Sequence, residues 1–514
     1  MKFKWLKKIF NRNLLVFLLL FIQALFVLTF FFKMHEYSNV VYGAQTVISI
    51  IFVVYVINKE ETNPAYKLSW SIIIMIIPIV GAALYMFFHA QLGTAFFYDK
   101  KNRMVKMTRP LIPQDRRVID DLTQEDIYSG RLAKYINEYG NYPVYKNTGI
   151  KYFKIGEEKL DRLISELKKA KKYIFMEYFI IDEGQMLDKV LSVLEQKVKE
   201  GVEVRMLYDG MGTQIHRPRQ FKQMIESKGI ICRVFNPFRP FLSSVQNNRD
   251  HRKIAVIDGV TAFCGGINIA DEYINRTKRF GHWKDSAVMV KGEAAWSFTV
   301  MFIQMWEFKK KQLTDYEKYI PYPENIAASK KTDGYIQPFG DSPTTDERIG
   351  ESVYIDIISK AKDYVYITTP YLIIDNEMIT ALTFAAKSGV DIRIIVPHIP
   401  DKGYVNLLGW NYYKELVKFG VKIYEYMPGF IHAKNFVSDD RVSVVGTINL
   451  DYRSLYLHFE CAAVMYGTSV ISDIKLDFMN TLAKSRPITL RDCSKRSLLS
   501  RIGGGFLRII APLL

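Results

Sequence analysis

Three long runs of apolar side chains dominate the N-terminal part of the chain: Leu14–Phe32, Val40–Ile57 and Leu68–Phe88. None contains a charged residue, and each is long enough to cross the hydrocarbon core of a bilayer. A cleaved signal peptide is an alternative for the first run alone, but that run is long, and it ends in Phe32 followed by Lys33 rather than in small residues. The pattern predicts transmembrane helices within a membrane region spanning 1–90.

The third run is interrupted by Pro78 and Gly81. Proline lacks a backbone N–H and disturbs a helix, so we expect this run to be a re-entrant or interfacial segment. The alternative is a third complete crossing, which would place the rest of the chain outside the cell.

Beyond the membrane region, short apolar runs alternate with segments of helical length, which favours parallel βαβ units and an α/β fold. The alternation occurs twice: 170–176 resembles 361–367, and both runs continue to Ile-Ile-Asp, ending at Asp182 and Asp375. We therefore expect two similar lobes that pack about a pseudo-twofold axis. The predicted parts are the membrane region 1–90, a linker 91–150, a first lobe 151–310, a connection 311–350, and a second lobe with a C-terminal tail, 351–514.

Each predicted lobe carries one copy of the same polar motif, His-x-Lys-x4-Asp followed by Gly-x-Ile-Asn. Its members are His251, Lys253, Asp258 and Asn268 in the first lobe, and His432, Lys434, Asp439 and Asn449 in the second. The chain has only eight histidines, so two unrelated structural histidines would not explain a duplicated set.

The motif residues are suited to phosphodiester chemistry. One histidine can attack phosphorus while the other protonates the leaving alkoxide. The two lysines supply positive charge where negative charge develops on phosphoryl oxygens, and the two asparagines donate hydrogen bonds to the same oxygens. This chemistry requires no metal or other cofactor.

Strand geometry separates the roles of the six His, Lys and Asp candidates. If each motif lies on a strand, His and Lys share one face, whereas Asp258 and Asp439 point to the other. Each Asp also begins a turn-like dipeptide, so we expect it to fix a hairpin rather than contact phosphate. The carboxylates that orient the histidines are then expected to be Asp285 and Glu460, each a little downstream of one motif.

These duplicated motifs resemble those of the phospholipase D superfamily, and the chain is most similar to its bacterial cardiolipin synthases. The similarity is strongest over Asn248–Gly259, Gly265–Tyr273 and Gly446–Ser454, and it extends to the final Pro-Leu-Leu. One departure is His458, where these relatives usually carry Asn before Phe-Glu. The resemblance implies transfer of a phosphatidyl group between two phosphatidylglycerol molecules through a phosphohistidine on His251, with His432 as acid and base.

Charge is consistent with an anionic lipid partner. The net charge is +17 and the isoelectric point is near 9.3, which attracts a protein to an anionic bilayer. Nucleic acid would be attracted equally, but a membrane-tethered nuclease explains the three apolar runs less well. A phospholipase D that uses water, a phosphatidylserine synthase and an inactive lipid-binding scaffold are further alternatives. Basic residues around the apolar runs place the lobes on the cytoplasmic side of a bacterial cell membrane.

Overall fold

The structure is a computed structural model that describes residues 38–59, 63–89, 92–213, 220–237, 244–308, 316–321, 333–345 and 347–513. The chain forms two compact units. The first comprises 1–97, 238–248 and 506–514, and the second comprises 98–237 and 249–505. The predicted transmembrane run Leu14–Phe32 lies outside the described residues.

In the first unit, the described residues between 38 and 89 form three helices: α1 (Ser38–Asn58), α2 (Pro64–Ile76) and α3 (Pro78–His89). The predicted break in the third apolar run is confirmed, because α2 ends at Ile76 and Pro78 begins α3. A Cβ at Gly81 would lie 2.9 Å from the carbonyl oxygen of Ile73, so glycine allows the chain to bend sharply there. Within the described ranges, no helix has both the length and the apolar composition needed to cross a membrane.

The remaining α-helices are α4 (Leu92–Thr108), α5 (Arg116–Glu125), α6 (Ile127–Gly140), α7 (Gly156–Leu167), α8 (Gln185–Lys199), α9 (Phe221–Glu226), α10 (Ala295–Trp306), α11 (Ile349–Lys360), α12 (Asn376–Lys387), α13 (Gly403–Lys418), α14 (Tyr452–Tyr456), α15 (Val470–Leu482), α16 (Leu490–Ser494) and α17 (Leu498–Ile510). The strands of the first lobe are β1 (Thr148–Phe153), β2 (Tyr173–Tyr178), β3 (Glu203–Asp209), β4 (Ile231–Phe235), β5 (Arg249–Asp250), β6 (Ile254–Ile257), β7 (Thr261–Gly265), β8 (His282–Lys284) and β9 (Ala287–Gly292). Those of the second lobe are β10 (Tyr335–Asp341), β11 (Tyr364–Thr368), β12 (Leu372–Ile373), β13 (Asp391–Pro397), β14 (Lys422–Tyr426), β15 (Gly429–Ile431), β16 (Asn435–Ser438), β17 (Val442–Gly446), β18 (Leu450–Asp451), β19 (His458–Tyr466) and β20 (Ser485–Pro487).

The two lobes repeat one sheet topology, which confirms the predicted α/β fold with two similar lobes. The first sheet has the order β1-β9-β7-β6-β2-β3-β4, and the second has β10-β19-β17-β16-β11-β13-β14-β20. Strands β2, β3 and β4 are parallel, as are β11, β13 and β14, because helices connect them. The other neighbours along both sheets are antiparallel. Each sheet is therefore mixed, and βαβ units form only part of it.

Two predicted boundaries differ from the observed elements. The segment 91–150, expected to be a linker, is largely helical, and α6 packs beside β10, where Gln337 donates a hydrogen bond to the carbonyl oxygen of Ala133 at 3.0 Å. The segment 311–350, expected to be a connection, contains β10, which forms seven register pairs with β19, from Tyr335 to Asp341. The sheet of the second lobe therefore begins at Tyr335.

The C-terminal segment is helical although it contains three consecutive glycines, which have low helix propensity. A Cβ on Gly504 would lie 2.3 Å from Asn411 Nδ2 and 3.0 Å from the carbonyl oxygen of Leu407, both on α13. Close packing against α13 therefore requires a residue without a side chain at this position, and tertiary contact overrides the propensity.

Candidate active site

Two short strand pairs join the lobes and position the motif histidines. In the first, β5 pairs with the start of β19, so that Arg249 and Asp250 lie beside His458 and Phe459. The next backbone N–H, that of His251, donates to the carbonyl oxygen of Phe459 at 2.9 Å. Each pairing partner comes from the opposite lobe, so the backbone of His251 is fixed by the second lobe.

The second strand pair repeats this arrangement for the other histidine. Strand β15 pairs with β8, and the N–H of His432 donates to the carbonyl oxygen of Lys284 at 2.7 Å. The backbone of His432 is therefore fixed by the first lobe.

The same strands bring each histidine to a carboxylate of the opposite lobe. His251 Nδ1 lies 2.8 Å from Glu460 Oε1, and His432 Nδ1 lies 2.7 Å from Asp285 Oδ2. All four side chains are buried. Because an ionised carboxylate only accepts hydrogen bonds, each pair favours the tautomer with the proton on Nδ1 and the lone pair on Nε2.

The second residue of each Gly-x-Ile-Asn segment lies next to one of the two carboxylates, Thr447 next to Glu460 and Gly266 next to Asp285. Glu460 accepts hydrogen bonds from the Thr447 hydroxyl and, at 2.8 Å, from the Ser454 hydroxyl. At the matching place in the first lobe, a Cβ on Gly266 would lie 2.1 Å from Asp285 Oδ1. Gly266 therefore leaves space for the Asp285 carboxylate, whereas the hydroxyl of Thr447 donates a hydrogen bond to the carboxylate of Glu460.

The two motif lysines are buried beside the histidines. Lys253 Nζ donates to the carbonyl oxygen of His251, and Lys434 Nζ donates to that of His432. Burial lowers the pKa of Lys253 to about 8 and that of Lys434 to about 7. Burial, together with nearby lysine charge, also holds the pKa of each histidine well below its usual value. A bound phosphate anion would compensate the cationic surroundings of two neutral imidazoles.

Comparison with known proteins identifies this arrangement. A family model described as "Cardiolipin synthase, PLD-like domain" matches residues 163–306 and 354–482, which include both motifs. The chain belongs to this phospholipase D-like cardiolipin synthase family. A second model, described as "Phospholipase_D-nuclease N-terminal", matches residues 47–88.

Relatives of this cardiolipin synthase family member match along most of its length. A Streptococcus mutans protein described as uncharacterized is 46% identical, covering 90% of this chain and 99% of its own. "Cardiolipin synthase 1" of Bacillus anthracis is 31% identical, covering 99% of this chain and 100% of its own. The crystal structure of a phosphatidylserine synthase from Haemophilus influenzae has the same fold, with a TM-score of 0.54 and 15% identity over 74% of this chain and 98% of its own.

The two motif aspartates lie away from the histidines and lysines of the site. The Asp258 carboxylate accepts hydrogen bonds from the backbone N–H groups of Lys171, Lys172 and Tyr173 at 2.8–2.9 Å. Asp439 makes the same three contacts at the start of β11, at 2.8–3.0 Å. The expectation that these aspartates fix the hairpins is therefore confirmed, because their carboxylates hold backbone at the far end of β6 and β16 from the histidines. Their place among the six His, Lys and Asp catalytic candidates is corrected accordingly.

The motif asparagines differ between the two lobes. Asn268 Oδ1 accepts from the N–H of Ile180 at 2.9 Å, and its Nδ2 donates to the Tyr273 hydroxyl at 2.7 Å. Asn449 is also buried, but its Oδ1 has no hydrogen-bond partner in the part of the chain that the structure describes. The duplicated sequence did not indicate this difference, which comes from the residues that surround each copy.

The crossed pairing and the position of His458 beside His251 were not predicted from the sequence. The His458 ring is buried, its centroid lies 5.4 Å from that of His251, and both ring nitrogens lack a hydrogen-bond partner among the described residues. Burial lowers its pKa to about 3, which keeps it neutral. The one sequence signal was the departure from the asparagine usual in cardiolipin synthases.

Proposed function

We propose that this protein is a cardiolipin synthase that transfers a phosphatidyl group between two phosphatidylglycerol molecules and releases glycerol. The observation that carries the proposal is the pair of crossed histidine–carboxylate contacts, His251 with Glu460 and His432 with Asp285. Each imidazole has a fixed tautomer and lies beside a buried lysine. One imidazole can therefore attack the phosphorus of a phosphodiester while the other transfers the proton. The family match to cardiolipin synthases, including that of Bacillus anthracis, supports the choice of phospholipid as substrate.

In the first step of the proposed mechanism, His251 Nε2 attacks the phosphorus of one phosphatidylglycerol. His432 takes up a proton at Nε2 when the lipid phosphate binds. The bond from phosphorus to the glycerol oxygen breaks, and His432 donates that proton to the oxygen. Lys253, Lys434 and the side-chain N–H groups of Asn449 stabilise the charge that develops on the phosphoryl oxygens. The products are free glycerol and a phosphatidyl group bound covalently to His251.

In the second step, His432 removes the proton from the terminal hydroxyl of a second phosphatidylglycerol. The hydroxyl oxygen attacks phosphorus, and the bond from phosphorus to His251 breaks. Two molecules of phosphatidylglycerol are thereby converted to one cardiolipin and one glycerol, and both histidines return to their starting state.

Mass spectrometry of the lipid products tests the proposal. Detergent-purified protein is given labelled phosphatidylglycerol in the presence of a metal chelator. We expect cardiolipin and free glycerol, and we expect both to be lost in His251→Ala and His432→Ala variants. Phosphatidic acid without cardiolipin would contradict the proposal in favour of hydrolysis, and unchanged lipid would contradict phosphatidyl transfer altogether.

We also propose that the N-terminal part attaches the enzyme to an anionic bilayer, as a multi-pass protein of a bacterial cell membrane. Large apolar side chains on one helix, α1, are more than half exposed, and such a surface is usually covered by lipid or another apolar partner. They are Val47, Ile50, Ile51, Val54, Tyr55 and Ile57. The Pro78 break favours a re-entrant or interfacial path for α2 and α3.

Basic residues favour the cytoplasmic side for the catalytic lobes, because positive loops remain inside. They precede the first apolar run and follow the third, and they include Lys2, Lys4, Lys7, Lys8, Arg12, Lys100, Lys101, Arg103, Lys106 and Arg109. Protease treatment of inverted and right-side-out membrane vesicles tests this orientation. We expect cleavage of the lobes only in inverted vesicles, and cleavage only in right-side-out vesicles would contradict it.

A further inference from the structure

His458 is a buried side chain of the site that the proposed reaction does not use. Only 9% of the residue is exposed, and neither ring nitrogen has a hydrogen-bond partner among the described residues. A buried polar group without a partner costs free energy, and native structures normally satisfy such groups with protein, water or an ion. The described residues therefore leave the ring nitrogens open to a ligand such as water or a metal ion.

Two further metal-binding side chains lie beside this ring. His251, His458 and Glu460 each present one possible ligand atom, and these atoms lie within 4.8 Å of one another. His458 Nδ1 is 3.7 Å from Glu460 Oε1, and His251 Nδ1 is 2.8 Å from the same oxygen. Ligand atoms bound to one Zn²⁺ ion at about 2.0–2.2 Å lie at comparable separations from each other.

We propose that His251, His458 and Glu460 form a binding site for a divalent transition-metal ion of the Zn²⁺ class, and that the bound ion inhibits the enzyme. Two imidazoles and one carboxylate are ligands that zinc, copper and nickel accept, whereas magnesium and calcium prefer oxygen alone. Glu460 keeps its hydrogen bonds from Thr447 and Ser454 in such a site, since a carboxylate has about four lone-pair positions. The inhibitory part of this proposal rests on the proposed function.

Inhibition follows from the tautomer of His251. In the hydrogen-bonded state, Nδ1 carries the ring proton and Nε2 has the free lone pair. A metal ion that takes the Nδ1 lone pair requires the proton to move to Nε2, so no proton is released overall. Nε2 then has no lone pair with which to attack phosphorus.

Among the described residues, no third metal-binding side chain joins the second pair, His432 with Asp285. The residue two positions before Asp285 is Trp283, which corresponds to His458 before Glu460. Its ring centroid lies 5.5 Å from that of His432, much as His458 lies beside His251. An indole nitrogen only donates a hydrogen bond and cannot bind a metal. We therefore expect one inhibitory ion per chain.

Inhibition of the full-length enzyme by buffered Zn²⁺ tests the proposal, with each variant compared with its own metal-free rate. We expect His458→Asn to raise the free Zn²⁺ concentration needed for half-inhibition by at least about ten-fold. Mg²⁺ is expected to have no effect on either protein. The control is His398→Asn, because Nδ1 of His398 also lies near a glutamate, 3.3 Å from Glu425 Oε2, and this histidine belongs to neither motif. Equal Zn²⁺ sensitivity of wild type and His458→Asn would overturn the proposal.

Equilibrium dialysis against Co²⁺ gives a second measurement that does not depend on activity. We expect wild type and His398→Asn to bind one ion with the visible absorption of a site containing nitrogen ligands, and His458→Asn to lose it. Loss of Co²⁺ binding in His458→Asn would support the metal site whether or not the enzyme makes cardiolipin. A failure to form cardiolipin in the absence of metal would overturn the proposed function and leave the metal site unaffected. A higher KM for phosphatidylglycerol in His458→Asn, with unchanged Co²⁺ binding, would overturn the metal site and assign His458 to the lipid headgroup.

Discussion

The two motif histidines differ mainly in what lies beside each ring. His251 faces Phe179 and His458, with ring centroids 5.1 and 5.4 Å away, whereas His432 faces Tyr273 and Trp283 at 5.6 and 5.5 Å. Both rings share the carboxylate contact at Nδ1, which fixes which nitrogen has the lone pair. At the residue scale, the carboxylates therefore control the chemistry of both rings.

Replacing Glu460 by Gln tests this control. A neutral amide can donate to Nδ1 as well as accept from it, so the tautomer of His251 is no longer fixed. We expect kcat to fall by about 10²–10⁴-fold with little change in the thermal unfolding temperature. Glu425→Gln, which alters a glutamate beside His398 instead, is the matched control and should keep its activity. A loss of less than about ten-fold in Glu460→Gln would argue against an orienting role.

The ionisable residues also predict a narrow pH range for activity. Burial raises the pKa of Asp285 to about 6, and burial lowers the pKa of Lys434 to about 7. Below pH about 6, Asp285 becomes protonated and loses the charge that stabilises a protonated His432. Above pH about 7, Lys434 loses its proton in the enzyme without substrate. Binding of an anionic lipid then requires Lys434 to take up a proton again, which weakens the binding as the pH rises.

We therefore expect kcat/KM to be greatest between pH about 6 and 7 and to decrease on both sides. The alkaline decrease should come mainly from a higher KM, since a bound phosphate favours the charged lysine. Steady-state kinetics at each pH, with circular dichroism to verify folding, measures this. A kcat/KM that stays constant from pH 5 to 9 would contradict the assigned ionisations.

At the scale of elements, each motif is one hairpin fixed at both ends. Strands β6 and β7 meet at Asp258 and Gly259, which both have positive φ, and β16 and β17 meet at Asp439 and Asp440, which do too. Two successive residues with positive φ suit the twist of paired strands, and three residues lie between the last register pairs, Ile257 with Thr261 and Ser438 with Val442. The Asp258 and Asp439 carboxylates tie these turns to the first residues of β2 and β11, while the cross-lobe strand pairs hold the histidine ends.

Asp258→Ala should therefore act on the fold. Three hydrogen bonds from backbone N–H groups to a charged carboxylate are lost, and we expect the free energy of unfolding to decrease by about 2–4 kcal/mol. The kcat of the protein that remains folded should change only a few-fold. Denaturant unfolding and active-site titration measure the two effects separately.

Asp440→Asn is the control for that variant, because asparagine tolerates the positive φ at this position and can still accept the hydrogen bond from the Tyr364 hydroxyl. Asp440 is the next residue after Asp439, and its carboxylate pairs with the partly exposed Lys475 at 2.8 Å. An exposed ion pair contributes little, so we expect a cost of about 1 kcal/mol or less. An Asp258→Ala protein that is fully stable yet inactive would contradict this prediction and indicate a catalytic role for Asp258.

Local patterns predicted the elements well and the pairings between elements poorly. The duplicated motif and the alternation of apolar runs were enough to predict two α/β lobes, and Pro78 was enough to predict a helix break. They did not reveal that Glu460 and Asp285 serve the opposite lobe, because residues close in sequence are the natural first partners. The strand β10 and the glycine-containing α17 were missed because tertiary packing, rather than local propensity, determines them.

At the scale of the whole second unit, many contacts join the lobes. Cys264 Sγ and Cys461 Sγ, one from each sheet, lie 3.5 Å apart, and Ser286 donates to Asn435 Oδ1 at 2.7 Å. Lys284 Nζ forms a buried ion pair with Asp477 at 2.6 Å. These contacts lie next to the carboxylates of the site, so the packing of the lobes and the geometry of both histidine pairs depend on each other.

Each complete site is therefore expected to form within one chain, and mixing two inactive variants tests this. In a His251→Ala chain the second motif is intact, and in a His432→Ala chain the first is intact, but neither chain contains both histidines. We expect their co-expression to give no cardiolipin, whereas either variant co-expressed with wild type should leave the wild-type activity intact. Recovery of a substantial fraction of wild-type activity would mean that lobes from two chains combine, since only an exchange of lobes brings the two intact histidines together.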